Sequence, residues 1–346
     1  MNMDFKKQVK GSLKLINIAK KILIIPSSPV DGDSIGSSLA LYLILKKLGK
    51  SPEINYSFDR FGWLKFLPAA ENIKVKDLFT IDLTAYDLVI FPDGGDLSQF
   101  YDGKIHREQF VLPADIQTLN IDHHPTNGHW AKYMVWCPSM SSVGEMLARM
   151  FEGVIKFDKD IATNLYTAIS TDTGHFRYTN TNKEVMEIAG SLLEYGVDLG
   201  SLLIKLYQTD SYNSVRFSGY LTTKIKVDKK LKYSWFTISL DEWIKKGLTL
   251  EEVKNATSRT RDSNLRAIDG TDFTFCLTED QENYIGGSFR SRNPGLFDLS
   301  KLAMMLNGGG HKEAAGFLIR DKTIPEAEKY VREMIEKNYK EIRSLR

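Results

Sequence analysis

Thr118-Leu-Asn-Ile-Asp122-His123-His124-Pro125 is a short apolar run that ends in three ionisable side chains and a proline. The run reads as a strand, and Pro125 stops it because proline has no N–H to donate. A carboxylate and two imidazoles at the end of a strand suit a metal or a phosphate, since such ends line the ligand crevice of α/β sheets. The same shape occurs twice upstream. Ile22-Leu-Ile-Ile25 reads as a buried strand halted at Pro26, and it leads through Ser27-Ser-Pro-Val-Asp31-Gly-Asp33 into a helix over 39–48 that Gly49 closes. A strand over 86–91 runs into Pro92-Asp93-Gly94-Gly95-Asp96, where glycines let the backbone approach a ligand closely. A helix over 11–20 and a strand over 53–58 complete this part.

Downstream, helices are expected over 141–152, capped by Ser139 or Ser141, and over 158–171, capped by Asp158. The second delivers Ser170-Thr-Asp172-Thr-Gly-His175-Phe-Arg177, where Asp172 can close a metal cluster and Arg177 offers a fork for phosphate. A helix over 183–195 ends at Gly196, and 197–214 reads as a connector with one helix. From Val215 the alternation predicts strands over 219–228, 232–239, 271–278 and 283–290, and helices over 249–260, 298–306 and 324–341. Two stretches stand out there. One is Gly286-Gly-Ser288-Phe-Arg290-Ser-Arg292; the other, Asn307-Gly-Gly309-Gly310-His311-Lys312, resembles a nest of backbone N–H groups beside an imidazole and a cation.

Composition sets the frame. The chain has 346 residues, enough for two domains, and its 42% hydrophobic and 26% charged content is that of a globular protein. A net charge of +2 excludes the broad basic face that long duplex nucleic acid needs, but leaves room for a small anion held by a few placed cations. Cys137 and Cys276, far apart and in expected strands, read as free thiols in a reducing compartment, so cytoplasm is the expectation. No apolar run approaches the roughly 20 residues of a membrane span, and the first residues do not read as a signal peptide.

Asp31, Asp33, Asp93, His123 and Asp172 combine hard oxygen donors with one imidazole, which suits Mn²⁺ or Mg²⁺ better than a structural zinc. Carboxylates converging without neutralisation repel one another, so such a cluster implies cations. Two ions about 4 Å apart can activate a water and clamp both oxygens of an in-line phosphoryl displacement.

Asp31-Gly-Asp33, Asp93-Gly-Gly-Asp96, Asp122-His123-His124 and Ser170-Thr-Asp172-Thr-Gly resemble, in order, the four motifs of the DHH phosphoesterases. Gly308-Gly309-Gly310-His311 with Ala314-Ala-Gly316 resembles the signature of their DHH-associated C-terminal domain, and Ser288-Phe-Arg290-Ser is most similar to the nanoRNase type. The resemblance implies an α/β chain: a doubly wound, parallel-sheet metal-binding domain at 1–196, the connector at 197–214, and a smaller α+β substrate-binding domain with a mixed sheet at 215–346, with a cleft between the domains. It further implies one or two Mn²⁺ or Mg²⁺ ions, bridged by Asp93, with Asp31 on one and Asp33, His123 and Asp172 on the other. His124 and Asp122 would serve catalysis, His124 beside the scissile phosphate, while Arg290, Ser288, Gly309, Gly310, His311 and Arg177 hold the substrate. One departure is Ser27, which stands where the family usually has a histidine; His175 is an alternative imidazole. The expected activity is exonucleolytic cleavage of short single-stranded oligoribonucleotides, with phosphoadenosine phosphate as a second substrate. A linear or cyclic dinucleotide phosphodiesterase, and a non-catalytic nucleotide-binding protein that lost one metal, stay open, as does a homodimer.

Overall fold

Alternate residues of the central apolar runs face opposite ways, and each set meets its own core. Ile22, Ile24, Ile90, Leu119 and Ile121 pack into one buried cluster, whereas Leu23, Ile25, Val89 and Phe91 pack into another with Phe100. That period of two, with both faces apolar, is the mark of a buried parallel sheet. The computed structural model describes residues 3–58, 61–102, 109–293 and 295–343. Two compact units emerge, Met1–Gln208 and Thr209–Arg346.

In the first unit the strands are β1 (Lys21–Ile24), β2 (Ser51–Tyr56), β3 (Ile73–Val75), β4 (Leu88–Pro92), β5 (Thr118–Asp122) and β6 (Tyr133–Trp136). They pair in parallel in the order β3-β2-β1-β4-β5-β6. The winding reverses at β1, so the carboxyl ends of β1 and β4 flank the switch point where such sheets bind ligands. The helices are α1 (Met3–Ile18), α2 (Gly32–Lys47), α3 (Val143–Phe151), α4 (Lys159–Asp172), α5 (Lys183–Leu193) and α6 (Leu199–Tyr207). Helices supply the first core cluster; short 3-10 turns at Leu78–Thr80, Leu83–Ala85 and Leu97–Phe100 cover the second.

The second unit contains α7 (Tyr212–Thr223), β7 (Lys226–Asp228), β8 (Tyr233–Ile238), α8 (Leu240–Ile244), α9 (Leu250–Arg259), β9 (Phe273–Gln281), β10 (Tyr284–Ser291), α10 (Leu299–Met305), β11 (Gly309–Gly310), β12 (Ala314–Arg320) and α11 (Ile324–Ile342). Its sheet runs β11-β12-β10-β9-β8-β7 and is mixed, since β8 and β9 pair in parallel and the other neighbours antiparallel.

The fold is therefore the expected α/β chain with a parallel first sheet and a mixed second one. Local differences have physical reasons. Residues 219–223 are the last turns of α7, where Phe217 and Leu221, four apart, are buried on one helical face, and only 226–228 of the expected strand pairs. Ser142, not Ser139 or Ser141, caps α3, because its hydroxyl accepts the Glu145 N–H at 3.0 Å. The edge strand β3 has too few alternating apolar positions to be read from the sequence, and the strand expected at Cys137 ends one residue earlier, at Trp136.

α2 lies close against α4 because Gly36 has no side chain. A Cβ at Gly36 would sit 2.8 Å from the Asn164 carbonyl oxygen and 3.2 Å from the Ala168 nitrogen. Both are backbone atoms that cannot yield without moving the helix. Gly36→Val is expected to destabilise the protein by about 1–3 kcal/mol through overpacking, read as a lower urea midpoint at unchanged slope; an unchanged midpoint would contradict this packing.

Candidate metal centre

Each expected ligand sits at the end of a strand of the parallel sheet or at one end of a helix. Asp31 caps α2, its Oδ1 accepting the Ser34 N–H at 2.8 Å, and is solvent-exposed. Asp33 is buried in the first turn of α2, and its two oxygens accept the N–H groups of Val143 at 2.7 Å and Gly144 at 2.9 Å. Those donors open α3, so a helix N-terminus with its partial positive charge holds this carboxylate. Asp93 follows β4 with φ +61° and is buried, and its N–H is tied to the Ile121 carbonyl at 2.9 Å. Asp172 is the last residue of α4.

His123 is the point of convergence. Its Nε2 lies 3.4 Å from Asp172 Oδ2, 3.6 Å from Asp93 Oδ1 and 3.8 Å from Asp33 Oδ2, while Nδ1 lies 3.2 Å from the Met140 carbonyl oxygen. A carbonyl only accepts, so Nδ1 carries the proton and Nε2 turns its lone pair to the carboxylates. Donor atoms of Asp33, Asp93 and His123 lie within 4.8 Å of one another, and all three residues are buried. Asp172 Oδ2 is buried and has no hydrogen-bond partner among the described residues. Buried carboxylates converging on one imidazole call for a cation, and the donors fit a hard divalent ion. Burial, then neighbouring aspartates, raise Asp33 and Asp93 well above the usual carboxylate range. Burial, then the charge of Asp31, pushes Asp172 up to about 8, with His124 pulling the other way.

Beside the cluster, His124 Nδ1 bonds Asp122 Oδ1 at 2.7 Å and lies 3.8 Å from Asp93 Oδ1. Burial disfavours the imidazolium, but the bond to Asp122 and its charge outweigh this and raise the His124 pKa. Asp122 is lowered in return: burial opposes ionisation, yet the bonds from His124 and from Asn127 prevail.

Ser27 is buried, and its hydroxyl donates to Ser34 Oγ at 3.2 Å while Ser34 Oγ donates to the Ser27 carbonyl at 2.9 Å. His175 Nδ1 pairs with Ser170 Oγ at 3.0 Å, its ring against Tyr207. Arg177 is exposed and its Nε donates to the Gly174 carbonyl. In the second unit, Ser288 and Arg290 lie on β10, opposite Gly316 and Ala314 of β12, and Gly309 and Gly310 of β11 pair with Gly316 and Ala315 on the other side of that strand. His311 follows in a tight turn closed onto Ala314. Arg290 Nη1 donates to its own neighbour's carbonyl, Phe289, and Nε lies 3.9 Å from Asp262. Phe289 is a core residue. Both cysteines are free and buried.

Three features escaped the sequence reading. The N-terminus of α3 on Asp33 could be found only once α3 had been placed. Asn120 and Asn127 bond beneath the His124 loop, and Asn127, five residues past Asp122, looks in sequence like any turn-former. Arg261, which grips Asp262 with two nitrogens and reaches Ser288 Oγ at 3.4 Å, sits in a π-helical turn, Thr260–Leu265, that follows α9.

Residues 21–169 match the DHH family, N-terminal domain, and residues 228–338 match the DHHA1 domain. The chain is 30% identical over 311 residues to the bifunctional oligoribonuclease and PAP phosphatase NrnA of Thermus thermophilus, covering 88% of this chain and 86% of that one. Against the enzyme of the same name from Bacillus subtilis it is 29% identical, covering 88% and 91%. In structure it is similar to an exopolyphosphatase-related protein from Bacteroides fragilis, with a TM-score of 0.83, 26% identity and coverage of 97% and 98%. The chain therefore belongs to the DHH phosphoesterase family, a metal-dependent family of hydrolases acting on phosphoester bonds, and carries its DHHA1 domain. No helix among the described residues is long and apolar enough to cross a membrane.

The raised carboxylates set a pH dependence. Asp172 is raised from 3.8 to about 8 on folding, so between those values the unfolded chain binds fewer protons than the folded one and stability falls as pH rises. Metal-free protein should melt at a higher temperature at pH 5 than at pH 8, and saturating divalent ion should shrink that gap. Scanning calorimetry showing the opposite order without metal would contradict the electrostatics of the cluster.

Proposed function

We propose that this protein is a metal-dependent exonuclease that degrades short single-stranded oligoribonucleotides to mononucleotides and also removes the phosphate from 3'-phosphoadenosine 5'-phosphate. The observation that supports it most is the convergence of Asp33, Asp93, Asp172 and His123 at the switch point of a DHH sheet, together with relatives of that activity aligned over most of the chain.

Asp31, Asp33, Asp93, His123 and Asp172 would hold Mn²⁺ or Mg²⁺, with Asp93, 3.6 Å from His123, shared between two positions. A bound ion supplies charge neutralisation and polarises a phosphoryl oxygen. The α3 N-terminus fixes the Asp33 carboxylate by two N–H bonds, so its free lone pairs face the cluster. His123 is oriented by the Met140 carbonyl, the outer partner that ligating histidines need. His124 gives its Nδ1 proton to the bond with Asp122, which with the Asp122 charge favours the imidazolium. In that form its Nε2–H would face the scissile phosphate and its proton pass to the leaving oxygen, leaving the neutral ring protonated on Nδ1. Arg177 in the first unit, and Arg290, Ser288, His311 and the Gly309-Gly310 backbone in the second, are the groups assigned to phosphate recognition, which needs local cations and no basic face.

With Mn²⁺ and end-labelled di- to pentaribonucleotides, wild type should release mononucleotides, and Asp93→Asn should lower kcat about 10²–10³-fold, the scale of losing one transition-state-stabilising group. Absence of cleavage by folded wild type would overturn the exonuclease reading. The asymmetry at Ser27 has its own readout. Its hydroxyl is a weaker ligand than imidazole and is already committed to Ser34, so Ser27→His should raise the number of ions retained after dialysis, measured by elemental analysis. Unchanged metal content and rate would show that the missing imidazole does not limit the site.

A further inference from the structure

Asn127 lies outside every feature discussed so far as a ligand or a substrate contact, yet it is buried at the base of the cluster. Its amide is fully used. Nδ2 donates one hydrogen to Asp122 Oδ2 at 2.7 Å and the other to Asn120 Oδ1 at 2.8 Å, while Oδ1 accepts the His129 N–H at 2.7 Å. The flipped amide would set an oxygen against two acceptors, so only one orientation satisfies the site.

The bonds continue on both sides. Toward β4, Asn120 Nδ2 donates to the carbonyls of Phe91 at 2.8 Å and Gly94 at 3.0 Å, and the Gly128 N–H bonds the Gly95 carbonyl at 2.8 Å. Those residues bracket Asp93, whose φ of +61° is costly for a residue with a side chain and must be held from outside. Toward the substrate side, Asp122 is fully buried and has two oxygens: Oδ1 serves His124 Nδ1 and Oδ2 serves Asn127. A carboxylate held at one oxygen can swing about its last torsion, since that rotation is broad and soft. Held at both, it has one plane.

We infer that Asn127 is a positioning residue for the phosphoester reaction: by holding Asp122 Oδ2 and Asn120 Oδ1 together it fixes the plane of the Asp122 carboxylate, and so the direction in which His124 Nε2 points, relative to the Asp93 loop. The inference rests on the reading of His124 as the phosphate neighbour. Asn127 touches neither metal nor substrate in this scheme and acts through Asp122, with Asn120 as its anchor toward the Asp93 loop.

The test compares wild type with Asn127→Leu, which fills the same space without a donor, and Asn127→Ser, a turn-compatible side chain too short to reach Asp122, as a guard against a folding defect. With Mn²⁺ and a diribonucleotide, kcat should fall about 10–100-fold, the cost of losing such an outer partner, while KM and the metal content of the dialysed protein stay within about twofold of wild type, since binding itself is untouched. In ¹⁵N-histidine-labelled, Mg²⁺-loaded protein, the His124 Nδ1 proton, assigned with His124→Gln, should resonate far downfield in wild type and move upfield or exchange away in both variants. Variants with wild-type kcat, a lowered kcat with an unmoved His124 proton, or wild type lacking the downfield proton would each overturn the inference. Folded wild type that cleaves nothing would instead remove the functional reading, and the proton signal alone would then decide whether Asn127 sets the Asp122–His124 geometry.

Discussion

Like charges brought together out of water are the constraint on which the first unit depends. Asp33 and Asp93 are buried, and Asp172 joins them within reach of one imidazole. Desolvation and mutual repulsion raise all three. Nothing in the hydrophobic core requires this arrangement, and stability alone would favour dispersing it. The fold instead spends local devices on keeping it: the α3 N-terminus on Asp33, the clamped left-handed turn at Asp93, and the Met140 carbonyl behind His123. Such concentration of strain and unfavourable charge is the signature of a site built for a cation and an anionic substrate.

The second unit handles charge in the opposite manner. Arg261, Arg290 and Arg266 surround a single acid, Asp262, and hold its pKa down at about 2 although burial works against ionisation. A cluster with more cation than anion suits a phosphate or carboxylate guest. β12 carries Ser288 and Arg290 of β10 on one side and the glycines of β11 on the other, and Gly308 and Gly310 have no space for a side chain against the backbone of β12. Backbone N–H groups and guanidinium forks are thereby set on a rigid sheet, which holds them better than a loop would.

Much of this was legible in the chain itself, for a specific reason. A strand of apolar residues halted by proline or glycine and followed by Asp or His marks the carboxyl end of a parallel strand, and this chain has that pattern at 22–33, 86–96 and 118–125. Asp31, Asp33, Asp93, His123 and Asp172 could be picked out because metal ligation restricts residue type strongly. Asn127 could not, because its part is defined by two partners whose positions depend on where β4 and β5 lie. Arg261 was hidden likewise: it meets Ser288, 27 positions away in the chain, from a π-helical segment that no local pattern marks. Of the strand expected over 219–228 only 226–228 pairs, because a short stretch satisfies helical and extended patterns alike, and burial of Phe217 and Leu221 on one helical face settled 219–223.

The sequence by itself determined which elements could exist and which chemistry they carried, because backbone preference and ligand type are properties of residues and their near neighbours. Only the tertiary structure decided that β1 lies between β2 and β4, so that aspartates about 30 to 90 positions from His123 in the chain meet at its imidazole. It also decided that Ser27 spends its hydroxyl on Ser34, and that Asn127 bonds the Asp122 oxygen that His124 leaves open. Those are relations across space, set by packing that no local pattern encodes.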